Sequence, residues 1–273
     1  MVKYLVLIVF TSFSFNIIAQ PRPQVKKPPP PKQQGFIDLS LTMGVPMESF
    51  AETTTSLPFG FTFNYLYQPY TRNPIAFGGG ITYLSAGSRS IDKNLTADIT
   101  VGNTLIDQLV IPLEFTIRNQ IVNGHVMMRV QGHNKYFKPY LDILGGFNYF
   151  WTSTALYDRS PESYFDTDDN NRIFQKRQAS DITWSAGGGV GFMARLGSSV
   201  YLNLGANYMF GGKVNYYDRD QIEEWNIELN ASAAFNPNQS EQPLNEDDVN
   251  VDAFPKSSRT HMIFANLGVT FLL

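Results

Sequence analysis

The feature that most constrains this chain is a regular alternation of bulky apolar side chains with small or polar ones. It recurs in eight segments, at 37–45, 59–68, 75–83, 109–117, 141–151, 182–192, 200–210 and 263–273. A period of two residues is typical of β-strands, and none of these segments has the 3.6-residue period of an amphipathic helix. The sequence therefore predicts an all-β protein.

The two faces of these segments differ too much for a soluble core. One face carries large aliphatic and aromatic residues, and the other is rich in Gly, Ser, Thr and Asn. The interior of an eight-stranded barrel is only just wide enough for its own side chains, so the crowded apolar face must point outward into lipid. We therefore predict an eight-stranded antiparallel transmembrane β-barrel over residues 35–273. This volume argument disfavours a soluble lipocalin-like barrel or a two-sheet sandwich.

The links between the segments support this prediction. Those that follow the first, third, fifth and seventh segments are long and polar, and those at the other end are mostly short. The links are, in order along the chain, 47–55, 69–73, 87–103, 119–136, 155–180, 196–198 and 213–259. Outer-membrane barrels have long extracellular loops and short periplasmic turns. The link 119–136 is long for a periplasmic turn, so we expect its flanking strands to extend into it beyond the membrane.

The N-terminus predicts export. Residues 1–19 combine a basic start with a mostly apolar run that ends on the small residue Ala19, which is the pattern of a cleavable secretory signal. An N-terminal membrane anchor is the alternative. Residues 20–34 are rich in proline and basic residues and contain no acid, which predicts an extended periplasmic tether. Together with the barrel, these segments predict a location in the outer membrane of a Gram-negative bacterium.

Three stretches resemble a known family. The run 109–115 (LVIPLEF), the stretch 138–141 (KPYL) and the strand start 145–147 (GGF) are similar to the PorT-type, OmpA-like outer-membrane barrels of Bacteroidota. The resemblance covers roughly residues 35–273. It implies a barrel that serves at the cell surface or in envelope machinery, in some members secretion or gliding machinery, and it supplies no catalytic residues. The long last link and the proline-rich tether lie outside the shared pattern.

Composition excludes several classes of function. The chain has no cysteine, which rules out disulfides, thiolate metal sites and a cysteine nucleophile. Its formal charge of −3 argues against a broadly nucleic-acid-binding surface. We predict a non-enzymatic, structural or accessory component of the cell envelope without a cofactor. A small lipid-modifying barrel enzyme and a surface ligand-binding or adhesion barrel are the alternatives. Its expected partners are outer-membrane lipids, lipopolysaccharide, and periplasmic or outer-membrane proteins.

Five charged residues fall on the polar faces of the first, fourth and fifth segments. They are Asp38, Glu114, Arg118, Lys138 and Asp142. Because a buried charge must be paired, we predict that they neutralise one another in a narrow lumen, with Glu114 against Arg118. A proton path or a substrate-binding pair of carboxylates is the alternative. A filled lumen of this kind predicts no open pore.

Other motifs give weaker hypotheses. Asp166, Asp168 and Asn170 imitate the start of a calcium loop, but the glycine and the distal glutamate of that motif are missing, so an acidic surface loop is favoured. Ser258 and His261 could form the nucleophile and base of a lipid hydrolase or acyltransferase, although nothing fixes a third orienting group. The link 213–259 is strongly acidic, which suggests divalent-cation bridges to lipopolysaccharide. Glycine runs at 78–80 and 187–189 precede no helix, so they indicate close packing rather than a phosphate loop.

Overall fold

The computed structural model describes residues 33–53, 56–101, 104–160, 171–217, 226–229, 249–252 and 255–273. The predicted signal segment and most of the predicted tether lie outside the described residues. So do Asp166, Asp168 and Asn170, and much of the acidic link 213–259.

The described chain is built almost entirely from β-strands. In order, they are β1 (Gln34–Pro46), β2 (Phe59–Gln68), β3 (Ile75–Val101), β4 (Thr104–Gln131), β5 (Phe137–Asp158), β6 (Arg172–Arg195), β7 (Val200–Gly211), β8 (Lys213–Tyr216), β9 (Asn226–Leu229), β10 (Val249–Asp252), β11 (Lys256–Arg259) and β12 (Met262–Leu272). A single short helix, α1 (Ser49–Thr53), follows β1. Among the described residues, no helix is long and apolar enough to cross a membrane.

Eight of the strands close into an antiparallel barrel. Their order around the ring is β1-β12-β7-β6-β5-β4-β3-β2, so the first and last barrel strands pair with each other. The remaining four strands form two small sheets inserted between β7 and β12, in which β8 pairs with β11 and β9 with β10. The predicted eight-stranded antiparallel barrel is confirmed.

The barrel presents its apolar face outward, as predicted. Leu41 is 72% exposed and Val126 is 71% exposed, and the aromatic residues of β2 are exposed along its whole length. Glycine, serine, threonine and asparagine face the lumen on the same strands. Exposed apolar surface on this scale is stable only against lipid, which identifies the barrel as a transmembrane one.

The two ends of the barrel differ in their connections. The end that contains Gln34 and Leu272, here called the turn end, has short links after β2, β4 and β6. The opposite end, here called the loop end, carries α1, the links after β5 and β7, and the extended tips of β3 to β6. Short turns at one end and longer structure at the other match the asymmetry of outer-membrane barrels.

Two predicted links are in fact strand. Residues 87–101 of the predicted loop 87–103 form the tip of β3, which pairs with β4 as far as Val101 opposite Thr104. Strand β4 extends into the predicted turn 119–136, as expected, and occupies most of it, so the actual turn between β4 and β5 is only 132–136. Both stretches carry many polar residues, which suggested loops. A strand outside the membrane needs no apolar face, and a lumen-facing strand buries polar side chains through hydrogen bonds.

This shift changes the assignment of the fourth predicted segment. Ile111, Leu113, Phe115 and Ile117 were predicted to face lipid, but each is at most 1% exposed. They lie on the loop-end tip of β4 and share the inward face with the lumen residues of that strand. The prediction of a lipid-facing segment at 109–117 is therefore wrong, and the membrane-spanning part of β4 lies further along the chain.

The polarity of β4 inverts along its length. Between 121 and 130, Val122, Val126 and Val130 face outward, while the inward positions are largely polar. On the loop-end side of Gln120, at 111–118, the outward side carries mostly polar residues and the inward side is apolar. About ten residues suffice for a tilted strand to cross the hydrocarbon core, which matches 121–130. The inversion places the membrane boundary near Gln120, and we call the strands beyond it the outer extension.

Candidate functional site

The lumen of the barrel contains a buried arginine held by two carboxylates. Arg129 on β4 donates from Nη1 to Asp38 Oδ2 on β1 at 2.9 Å. It also donates from Nε and Nη2 to the two oxygens of Asp142 on β5, at 2.8 and 3.0 Å. All three side chains are almost fully buried. Asp38 accepts a further bond from Thr270 Oγ1 on β12 at 2.6 Å, so the cluster ties together four strands.

Glycines on neighbouring strands make room for this cluster. The guanidinium carbon of Arg129 lies 3.9 Å from the centre of the Tyr140 ring, and the Tyr140 hydroxyl donates to Asn203 Oδ1 at 2.7 Å. A Cβ atom at Gly191 or Gly205 would overlap the Tyr140 side chain. Gly191 of β6 and Gly205 of β7 therefore leave the space that the Tyr140 ring occupies.

A second polar network fills the lumen beside the first. His125 lies with Nδ1 2.8 Å from Asn123 Oδ1 and Nε2 3.0 Å from Asn64 Oδ1. Asn123 Nδ2 donates to Asn148 Oδ1 at 2.6 Å and to Ser185 Oγ at 3.0 Å. His125 was predicted to lie in a periplasmic turn, and it lies in the barrel interior instead.

An aromatic cluster closes the lumen toward the loop end. Phe50 of α1 is buried, with its ring edge-on to Phe150 at 6.0 Å and to Tyr216 of β8 at 5.7 Å. These rings belong to one apolar cluster with lumen-facing residues such as Leu84 and Met262. The short helix after β1 therefore folds across the barrel mouth, with its buried ring acting as a plug. A small cavity of about 20 Å³ remains beside Phe50.

The structure separates the five predicted lumen charges. Asp38 and Asp142 meet through Arg129, which the sequence interpretation missed. Lys138 lies near the turn end with its ammonium 4.9 Å from the Tyr201 ring and 5.6 Å from the Phe36 ring.

Glu114 and Arg118 do not lie in the lumen. Both belong to the outer extension, where Glu114 forms an ion pair with Arg159 and Arg118 is exposed on the outward face. The predicted pairing of Glu114 with Arg118 is corrected for the same reason as the fourth segment, because the membrane-spanning part of β4 starts after them. Glu114 also bonds Ser90, and this bond and the nearby Arg159 guanidinium lower the pKa of its carboxyl.

The rim of the loop end does not assemble a serine–histidine pair. The buried Ser258 hydroxyl lies 3.2 Å from the Tyr216 hydroxyl. His261 instead has Nδ1 3.0 Å from Glu48 Oε2, without hydrogen-bond geometry, and its ring packs edge-on against Phe210. Tyr208 donates to the other Glu48 oxygen at 3.4 Å. An acid beside a histidine is present, but no serine is bonded to that histidine among the described residues.

No metal site is assembled in the described part of the chain. It contains no group of three or more His, Asp or Glu side chains close enough to hold a metal ion. His133 lies exposed at the turn end, where Nε2 is 2.8 Å from the backbone oxygen of Arg72.

Some solved structures are similar to this chain at low sequence identity. No protein-family model matches the chain, and no curated protein sequence matches it. Among solved structures, it is similar to Ail, the attachment invasion locus protein of Yersinia pestis, in complex with the heparin analogue sucrose octasulfate. That match has 13% identity and a TM-score of 0.34, over 88% of this chain and 97% of Ail.

Two further solved structures are also similar. Neisserial surface protein A matches at 9% identity and a TM-score of 0.33, over 88% of this chain and 96% of its own. The outer membrane protease OmpT from Escherichia coli matches at 10% identity and a TM-score of 0.28, over 89% of this chain and 98% of its own. At these levels no functional residue is carried over, and the assignment as a barrel rests on the closed strand order of the chain itself.

Proposed function

We propose that the protein is a non-enzymatic barrel of the outer membrane of a Gram-negative bacterium and a structural or accessory component of the cell envelope. The observation that carries this proposal is the filled lumen. Arg129 is bonded to carboxylates from two other strands, and Phe50 plugs the loop end. A barrel sealed in this way serves as an anchor for what it displays, because it offers solutes no open path.

The predicted signal segment and the exposed apolar face support the location. An exported barrel with lipid-facing strands inserts into the outer membrane, with the turn end in the periplasm and the loop end outside. The resemblance to PorT-type barrels of Bacteroidota supports a role beside envelope machinery, including secretion or gliding machinery. Lipopolysaccharide and outer-membrane lipids are its expected surroundings.

Planar-bilayer recording tests the sealed anchor directly. The purified wild-type protein should insert without steady conductance. Replacing α1 by a short glycine–serine turn, which removes Phe50, should leave at most small currents, because the Arg129 cluster still fills the barrel. A large, steady pore in the wild-type protein would contradict the proposal.

The accessory role has its own test. Residues 20–33 of the predicted tether, which end just before β1, are basic and proline-rich, and an extended segment of this kind contributes nothing to barrel packing. Its deletion should leave a folded barrel but abolish co-purification of envelope proteins after mild crosslinking. Undiminished recovery of partners by the tether deletion would remove the support for periplasmic partners and favour a surface-binding role, which the long outer extension would then serve.

A further inference from the structure

The outward face of the outer extension carries a row of arginines. Arg118 on β4 is the register partner of Ser153 on β5, and Ser153 is in turn the partner of Arg177 on β6. Neighbouring strands lie about 4.8 Å apart, so the backbones of the two arginines are separated by about 10 Å. Two arginines on neighbouring strands thus stand on either side of one small serine, and their long side chains can reach an anionic group above it.

A β-bulge creates this row. Thr152 pairs with Ala179, but Ser153 pairs with Arg177, so Gln178 is the extra residue. Without the bulge, Gln178 would stand opposite Ser153. Bulges commonly re-aim a side chain next to a functional site. Here the bulge turns Arg177 to the outward face, while Gln178 donates to Thr154 Oγ1 at 2.9 Å.

The row lines a cleft of about 510 Å³. Arg172 and Lys176 also line it, and Gln120 and Trp151 complete the side nearer the membrane. No carboxylate from the described residues lines this cleft. Arg172 pairs with Tyr157 on the same outward face as Arg118 and Arg177, so three arginines concentrate positive potential there, whereas Lys176 pairs with the inward-facing Thr154.

Neutral groups hold Arg177 in place. Arg177 donates from Nη1 to the Tyr149 hydroxyl at 2.9 Å, and its guanidinium carbon lies 6.0 Å from the Trp151 ring. Arg118 is exposed, and neither it nor Arg177 forms an ion pair with any carboxylate that the structure describes. Their charges are thus positioned without being neutralised, which leaves their remaining N–H groups available to a ligand.

The position of the cleft relative to the membrane boundary indicates which ligand it meets. Trp151 pairs with Gln120 at the polarity inversion of β4, and Tyr149 pairs with Val122 just inside it. The Tyr149 and Trp151 rings stack at 5.3 Å, and Tyr83 lies 6.4 Å from Trp151. Aromatic residues in this position mark the level of the lipid headgroups. Ser153 is two residues further along β5, so the cleft lies about 7 Å further along the strand than this belt.

We infer that this cleft binds the phosphate groups of a phosphorylated lipid of the outer leaflet. Arg118 and Arg177 engage the phosphate from both sides, in the bidentate manner that guanidinium groups adopt with phosphate, and Ser153 contributes a hydroxyl. The acyl chains lie along the exposed apolar face directly below. The assignment rests on the proposed location, because only the outer leaflet meets the barrel at this height.

The test uses the full barrel in neutral detergent micelles and diphosphorylated lipid A as the probe, with occupancy measured by native mass spectrometry. The double variant Arg118→Gln/Arg177→Gln should bind at least about tenfold more weakly than wild type, because it loses two charge-assisted contacts. The matched control Arg72→Gln/Lys135→Gln removes the same charge from exposed positions at the turn end and should bind like wild type. Lipid A without its phosphates should bind wild type and the cleft variant equally weakly.

Equal binding of diphosphorylated lipid A by wild type and the cleft variant would overturn the assignment. The source of the phosphate is tested with the water-soluble, deacylated disaccharide diphosphate. If this probe binds as tightly as the lipid, the cleft takes a soluble anion and the lipid assignment fails. Membrane fractionation of the cleft variant reports its insertion, and heat-modifiable mobility on a gel reports its folding. A variant that inserts normally but binds lipid unchanged therefore refutes only the cleft, whereas a wild type that fails to fractionate with the outer membrane refutes the proposed function.

Discussion

Arg129 joins two other strands of the barrel through a single side chain. It forms ion pairs with both Asp38 and Asp142, and each carboxylate is almost fully buried. Removing one member of a buried ionic cluster leaves uncompensated charge, which is more costly than never having the cluster. Arg129→Met should therefore lower the free energy of unfolding by about 3–5 kcal/mol. Urea titration of the barrel refolded in lipid vesicles measures this loss.

A triple variant separates pairing from packing. Arg129→Met combined with Asp38→Asn and Asp142→Asn removes every charge of the cluster, so it should be more stable than Arg129→Met alone. Thr270→Val, which removes only the hydroxyl bonded to Asp38, serves as a milder control. Losses that simply add across the three sites would mean that the charges act independently.

Glu114 predicts a pH dependence in the outer extension. Its bond from Ser90 and the Arg159 guanidinium lower its pKa below the ordinary value of 4.5. A carboxyl with a lowered pKa stabilises the folded state above its unfolded pKa, and this contribution disappears as the pH falls through the folded value. Glu114→Gln should therefore reduce stability near pH 7, and this loss should shrink progressively as the pH falls below 4.5. Urea midpoints measured over a pH series test this, and a penalty that stays constant as the pH falls would rule out the charge as its cause.

The sequence allowed the burial of the two carboxylates to be predicted, but it did not reveal the arginine that pairs with them. Asp38 and Asp142 stand on the polar faces of well-patterned strands, so their burial could be predicted. Arg129 was missed because 119–136 combines Asn, His, Arg and Gln, a composition typical of a turn. Continuing the alternation of β4 along the chain would have identified Arg129, since Asn123, His125 and Arg129 all occupy odd-numbered positions, which face inward in this strand. A barrel lumen buries polar side chains, so polarity alone does not distinguish it from a loop.

Within the single strand β4, the change in polarity near Gln120 marks the boundary of the membrane. Val126 is outward and 71% exposed within 121–130, whereas Thr116 is outward on the outer extension. Val126→Arg should cost about 2–4 kcal/mol because the charge would lie near the bilayer midplane. Thr116→Arg should cost little, since water surrounds that position. Unfolding titrations in vesicles compare the two, and similar costs would contradict the assigned boundary.

Other strands show why the fold was easier to predict than its lengths. The outward faces of β1, β2, β7 and β12 are apolar nearly from end to end, so their bounds could be read closely from the alternation. By contrast, β3 to β6 continue past the membrane, where the outward side chains become polar. In β4 the apolar alternation at 111–117 does record that continuation, but its apolar face points inward, so the facing predicted from the sequence was wrong. The tip of β3 from Ser88 onward is largely polar and was interpreted as a loop.

For the whole molecule, orientation can be tested cleanly because the chain has no cysteine. Asp92→Cys places a thiol on the exposed outer extension, and His133→Cys places one at the turn end. A membrane-impermeant maleimide should label the first variant on intact cells and the second only after the outer membrane is permeabilised. Both positions are solvent-exposed, so a difference in labelling reports sidedness. The reverse labelling pattern would mean that the loop end faces the periplasm.

The inverted polarity of β4 also bears on how the protein reaches its final state. The tips of β3 to β6 must cross the bilayer before the barrel closes, and they carry Glu114, Arg118, Arg172 and Arg177 with them. Each such charge costs about 2.5–3.5 kcal/mol at the membrane centre. The same tips carry apolar residues that are buried only after the barrel has folded. Before insertion these residues are exposed to water, which makes the unfolded chain prone to aggregate. Insertion is therefore a costly step for this barrel, and we expect its long hairpins to require more assistance in crossing the bilayer than short hairpins do.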